Sequence, residues 1–265
     1  MSWKINTISK TKIKNPILIE GLPGVGNVGK ITVEYLIDAL KAEKILELYS
    51  EDLPHYVFVN EDNLIELPNI ELYLATVNKK QILLLSGDIQ PPNETSCHRF
   101  CNQILDTFEK SKGKEIITLG GIALHEVPKD PSIYFAANNP KILKKYSAGA
   151  KPKKELHEII GPIVGVTGLL PGLAGSRNIP AITLLAETFE SPGYIGLKEA
   201  KKIIKHLNKK LELKLKEKKI DKDLEIEVPK IKTPVKKKNN KIKKQNKKIE
   251  KVPEEANGKT HHYIG

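Results

Sequence analysis

Cysteine is scarce in this chain. Cys97 and Cys101 are the only two in 265 residues, too few for a disulfide scaffold. No run is apolar enough for a membrane span: the longest uncharged stretch, Ile159 to Ser176, holds five glycines and two prolines and reads as a buried strand plus loop. The opening residues, MSWKINTISKTKIKN, lack the apolar core of a signal peptide. A cytoplasmic protein with no membrane partner is therefore expected, and the glycosylation pattern at Asn93 carries no meaning in that setting. There is no G-x-S-x-G nucleophile elbow and no internal repeat.

What is present is a chain 39% hydrophobic with a net charge of +12, long enough for one large core. The charge is unevenly placed. Residues 1–200 hold 22 Lys and Arg against 23 Asp and Glu, whereas residues 201–265 hold 22 Lys against 9 Asp and Glu. The body is nearly neutral and the basicity belongs to the last quarter. From Lys230 to Lys251 eleven of twenty-two residues are lysine, a low-complexity composition that reads as disordered. The expected organisation is a domain over 1–220 and a lysine-rich tail over 221–265.

Within the domain, PILIE at 16–20 reads as a buried strand, followed by a glycine turn and a helix over KITVEYLIDAL, with Val28, Ile31, Tyr35, Leu36 and Ala39 as its buried stripe. KILELY, QILLLSGD, EIITLGG, SIYFAANN, IVGVTGLL and AITLLAET are further strand candidates. HYVFVNEDNLIELPNIELYLATV reads as short β segments joined by Asn/Asp and Pro/Asn turns. PPNETSCHRFCNQILDTFEKSKG reads as a turn and then a helix ending at Gly113. A basic helix follows ESPGYIG, with Leu197, Ala200, Ile203, Ile204, Leu207 and Leu211 on its apolar face, and extends towards Lys219. Continuous apolar strands interleaved with helices point to a mostly parallel or mixed sheet covered on both faces.

The stretch GLPGVGNVGK, residues 21–30, admits three readings. Gly24 to Lys30 spell most of a phosphate-binding loop, but the position after Lys30 is Ile31 where a magnesium-binding hydroxyl belongs. Gly24, Gly26 and Gly29 spell a dinucleotide fingerprint, with Glu47, Glu51 or Asp52 as its ribose acid, yet Pro23 stands just before the first of these glycines. The structural reading has Gly21, Pro23, Gly24, Gly26, Asn27 and Gly29 shaping a tight strand-to-helix corner, Asn27 capping the turn and Gly29 admitting close packing of the helix.

That opening, with LLLSGDIQPP, IITLGGIA, VGVTGLLPGLA and PAITLLAETFESPGY in order behind it, resembles the proteasome assembly chaperone 2 (PAC2) family over about residues 15–210. The resemblance implies a three-layer α/β/α sandwich similar to nucleoside phosphorylases. It also implies self-association, no catalytic or cofactor site, and partners among proteasome α-subunits or the 20S particle. Some archaeal members of the family dock through a C-terminal hydrophobic-Tyr-any tripeptide. Here Tyr263, Ile264 and Gly265 end the sequence, with tyrosine third from the end; they are the candidate docking tail.

Other chemistry is weaker. Cys97, His98 and Cys101 lack the further ligands a zinc site needs, and the cysteines read as packed inward. His55, His125 and His157 have no spacing that ties them to Cys97. Asp88, Glu94, Glu126, Glu187 and Glu190 fall near strand ends, where open sheets hold ligands. GVTGLLPGLAGSRN reads either as an anion nest served by Arg177 or as an apolar subunit contact. Leu169, Leu170 and Leu173 favour the contact. Two alternatives stay beside the chaperone reading: a small-molecule or nucleotide enzyme at the glycine loops, and salt-sensitive, non-specific nucleic-acid association through the lysines. No cofactor and no metal is expected.

Overall fold

The computed structural model describes residues 3–150, 156 and 161–225. In chain order the strands and helices are β1 (Lys4–Thr7), β2 (Ile17–Glu20), α1 (Val28–Leu40), β3 (Glu43–Tyr49), β4 (Phe58–Val59), β5 (Ile65–Glu66), β6 (Ile70–Val77) and β7 (Lys80–Gly87). They continue as α2 (Glu94–Lys110), β8 (Glu115–Leu124), β9 (Ile133–Ala137), α3 (Pro140–Ser147), α4 (Val166–Ser176), β10 (Ala181–Phe189), α5 (Leu197–Leu211) and α6 (Glu217–Asp223).

Eight strands form one sheet in the order β1-β3-β6-β7-β2-β8-β10-β9. The four central strands, β7-β2-β8-β10, are parallel, with Ile19 paired to both Leu84 and Ile117 and Leu119 to Leu184. Antiparallel strands flank them on both sides. All four residues of β2 are buried, which demands helices above and below. On one face α2 and α4 place Phe100, Leu105, Leu170 and Ala174 over Leu18, Leu83, Leu85 and Ile116. On the other, α1, α3 and α5 place Val33, Leu36, Ile142, Tyr146, Ile203 and Leu207 over Ile17, Ile19, Leu84 and Ile117. The expected three-layer mixed α/β architecture is the observed one.

Local chemistry sets the helix starts. Asn93 accepts the Ser96 N–H at 2.9 Å at the head of α2, and Asn139 accepts the Ile142 N–H at 3.0 Å at the head of α3, where Pro140 opens the first turn. The basic helix stops sooner than its periodicity suggests. Glu212 takes a left-handed conformation, φ 58°, and the Asn208 side chain clamps both backbone polar groups of Leu215. α6 then folds back, burying Ile220 and Leu224 against Ile204. It crosses the expected boundary at residue 220.

Two expectations fail. The buried stripe of α1 is Val28, Gly29, Thr32, Val33 and Leu36, whereas Ile31 and Tyr35 meet α6 in a smaller cluster outside the main core. IVGVTGLL is not a strand: from Val166 it is helix α4, with Pro171 inside it. Pro171 has no N–H for the carbonyl of Thr167, its partner one turn back. Hydroxyls from the sheet fill the gap, since Thr118 Oγ1 donates to Thr167 O at 2.7 Å and Thr183 Oγ1 lies 3.2 Å from the same oxygen. Tertiary contacts thus permit a helix that local propensity disfavours.

Candidate functional site

The glycine corner sits at the C-terminal end of β2, in the middle of the parallel strands, where open α/β sheets bind ligands. Here backbone occupies the space. A Cβ on Gly21 would fall on the Gly29 carbonyl oxygen, and one on Gly29 would lie 2.5 Å from the carbonyl oxygen of Leu119 on β8. Gly26 has φ 63°, a left-handed shape suited to glycine, and its carbonyl accepts the Gly196 N–H at 2.8 Å. Gly24 is extended, and its carbonyl accepts the Asn27 N–H at 2.9 Å. Asn27 is left-handed, φ 51°, and makes no side-chain capping bond, so it serves the turn through its backbone and not as the expected cap. The Pro23 carbonyl accepts a hydrogen bond from Gln90 Nε2 at 2.7 Å, while Gln90 Oε1 accepts the Val166 N–H at 2.9 Å. One amide therefore ties the corner to the start of α4 and takes the acceptor place an anion would want there.

Lys30 does not face an open phosphate site. Its ammonium donates to the Gly87 carbonyl at 2.8 Å, pairs with Glu34 at 2.9 Å and lies 3.8 Å from Asp88. Asp88 in turn accepts the Asn69 N–H at 3.3 Å. Nor do the ribose-acid candidates come near. Glu47 is held by Lys44 and Asn6, and Glu51 by Lys4. Asp52 sits in the turn after β3 beside the Ser50 hydroxyl. All three belong to the region of β3, which β6 and β7 separate from β2 in the sheet. The adjacency that a dinucleotide fold supplies is missing.

Beneath the corner lies a residue the sequence reading passed over. Glu20 is fully buried, and its Oε1 accepts the Leu22 N–H at 2.9 Å. Burial pushes its carboxyl up to about 8, which leaves it largely protonated at neutral pH. The signal available was an acid closing an otherwise apolar strand. Cys101, on α2, is pushed far above the ordinary thiol range by its hydrogen bond to Cys97 and by burial. Both cysteines are buried and unbridged. No cluster of three or more His, Cys, Asp or Glu able to hold a metal occurs among the described residues.

Beside the corner a groove of about 650 Å³ runs between α2 and α4, lined by Cys97, His98, Val164, Leu169, Gly172 and Leu173 among others. Leu169 and Leu173 are partly buried there, but Leu170 is wholly buried in the core beneath α4 and offers nothing to a surface. Arg177 serves no anion nest: it pairs with Asp106 at 2.6 Å and Glu109 at 2.8 Å on α2. Glu187 accepts from the Ser132 N–H at 2.8 Å and the Tyr134 hydroxyl at 3.0 Å. His125 lies 4.0 Å from Glu190 and is exposed, whereas Cys97 is buried. His157 and the tail residues Tyr263, Ile264 and Gly265 lie outside the described residues. Among those described, no helix is long and apolar enough to cross a membrane.

Comparison with known proteins places this architecture. The profile of the PAC2 family matches residues 18–235. An uncharacterized protein of Methanocaldococcus jannaschii is 33% identical over 188 residues, 69% of this chain and 68% of its own length. Among solved structures, Pyrococcus furiosus PbaB, an archaeal proteasome activator, matches with a TM-score of 0.75 at 31% identity, over 84% of this chain and 94% of that one. Pyrococcus furiosus PbaA, an archaeal homolog of proteasome-assembly chaperone, matches with a TM-score of 0.66 at 25% identity, over 83% of this chain and 91% of that one.

Proposed function

The chain belongs to the PAC2 family, and from that premise we propose that it is an oligomeric, non-enzymatic protein of proteasome assembly or activation. Its partners in this reading are proteasome α-subunits or the assembled 20S particle, and its compartment is the cytoplasm. The observation that carries the reading is the extent of the likeness to PbaB, 84% of this chain at 31% identity, which spans the α/β body instead of a single motif. The glycine corner supports the non-enzymatic part. Its backbone is packed against β8, and Lys30 is bound by Glu34 and the end of β7. Function then lies in surfaces that meet other proteins, with the tail ending in Tyr263, Ile264 and Gly265 as one of them.

The test mixes purified full-length protein with α-subunits and, separately, with assembled 20S particles, and determines the mass of each complex. A defined complex with at least one of them is expected. Binding to free subunits alone assigns assembly, and binding to finished particles alone assigns docking or activation. A folded protein that binds neither removes the proteasome reading.

A further inference from the structure

The segment between β3 and β6 stands apart from the core. β4 and β5 pair only with each other, and no residue from 56 to 67 enters a buried cluster. Yet Tyr56, Phe58, Val59, Leu64, Ile65 and Leu67 are all exposed, Val59 at 65% and Ile65 at 72%. The hairpin is well formed at its tip. Asn60 Oδ1 accepts the N–H groups of Asp62 and Leu64 at 3.0 and 2.9 Å, and Asn60 Nδ2 donates to Glu66 at 2.7 Å. Val59 and Ile65 are cross-strand partners on one face of the hairpin, whereas Phe58, opposite Glu66 and against Tyr56, lies on the other. A lone two-stranded hairpin is marginal in water, and an exposed apolar face such as that of Val59 and Ile65 marks a protein contact.

Charge selects the occupant. Residues 54–68 hold Glu61, Asp62 and Glu66 and no Lys or Arg. The rest of residues 1–225 holds 32 Lys and Arg against 25 Asp and Glu. Two hairpins face to face would bring like charges together, while the body of a second copy offers the opposite sign. Its outer layer of α3, α5 and α6 exposes Lys141, Lys144, Lys198 and Lys209, with Leu143 exposed among them.

We infer that the β4–β5 hairpin is the surface by which one copy of this chain holds a second, seated on the lysine-bearing layer of α3, α5 and α6. The inference rests on the oligomeric reading above and supplies its interface. The contact is inferred in its head-to-tail form, which repeats from copy to copy; a reciprocal exchange of hairpins within a two-fold pair is the other form that two different surfaces permit.

The test compares full-length wild type with the double variant Val59→Glu/Ile65→Glu by light scattering, with thermal unfolding as the control for folding. Wild type is expected as an oligomer whose mass falls as salt is raised. The variant is expected at the mass of a single chain with an unchanged unfolding midpoint, since neither residue belongs to the core. Added to wild type, the variant still offers its lysine layer and is expected to join and terminate wild-type assemblies. Monomeric wild type, or a variant that keeps the wild-type mass, overturns the inference, and a variant that never joins wild type overturns its head-to-tail form. Binding to 20S particles is measured in parallel. Lost proteasome binding in an intact wild-type oligomer would sink the proposed function alone. A variant of unchanged mass that loses 20S binding would instead give the hairpin to the proteasome and refute self-association through it.

Discussion

Gly29→Ala would place a methyl group 2.5 Å from the Leu119 carbonyl oxygen, a backbone atom that cannot swing aside. The expected loss is about 3 kcal/mol, the upper part of the range for overpacking. Gly172, on α4, has open space at the same position, and Gly172→Ala is expected to gain about 0.5 kcal/mol from helix propensity. Urea unfolding of the pair reads both signs. Glu20 gives a second prediction. Its carboxyl is raised to about 8 when folded, against an ordinary value of 4.5 for an exposed glutamate, so the folded state holds a proton that the unfolded state has released. Stability contributed by this group is full below about pH 4.5 and is lost as pH rises towards 8. Glu20→Gln removes that slope. Relative to wild type, the variant is expected to gain stability steadily from pH 5 upward, reaching on the order of 5 kcal/mol at pH 8, measured by denaturant midpoints across pH. The glycines were legible because their spacing after a strand is a local signal. Glu20 was not, because an acid after PILIE looks like any strand end until the helices close over it.

Helix α4 shows where local signals stop. Glycines, β-branched residues and Pro171 all spoke against a helix, and the groups that rescue it come from β8 and β10, far away in sequence. The substitution Thr118→Val leaves the Thr167 carbonyl with a poorer set of donors and is expected to cost about 1–2 kcal/mol. In a Pro171→Ala background a backbone N–H returns one turn ahead of that carbonyl, and the same Thr118→Val change is expected to cost measurably less. A double-mutant cycle by chemical denaturation gives the coupling, and a coupling of zero would show that the threonine hydroxyls do not substitute for the missing bond. Most other elements were legible, since β2, β7 and β8 are unbroken apolar runs and α2 and α5 keep a helical stripe. The hairpin was recognised as β structure, but its exposure was not, because a run of Tyr, Val, Phe and Ile looks the same whether it faces a core or a partner.

At the scale of the whole molecule, the basic tail is expected to be separable from the fold. The described elements run through α6, with Ile220 and Leu224 buried, so a clean truncation falls after Glu225 and not at residue 221. Removing 226–265 deletes twelve lysines and four acids. The truncated protein is expected to keep its unfolding midpoint by calorimetry and, under the proposed function, to lose at least tenfold in affinity for α-subunits or 20S particles by titration. Unchanged affinity would remove Tyr263, Ile264 and Gly265 from the docking surface. The family and the three-layer architecture were readable from ordered motifs along the chain. Which residues form surfaces was not, because burial depends on how distant segments meet.

The strand order also has a temporal side. β2 is made within the first twenty residues, yet it sits at the centre of the sheet, hydrogen-bonded to β7 on one side and β8 on the other. Its second neighbour begins only at Glu115. A ribosome adding about 5–20 residues per second needs several seconds to deliver it, and during that time an apolar strand, ILIE, waits with one edge bare. A nascent chain of this topology is itself a client for protection, exposed early and completed late.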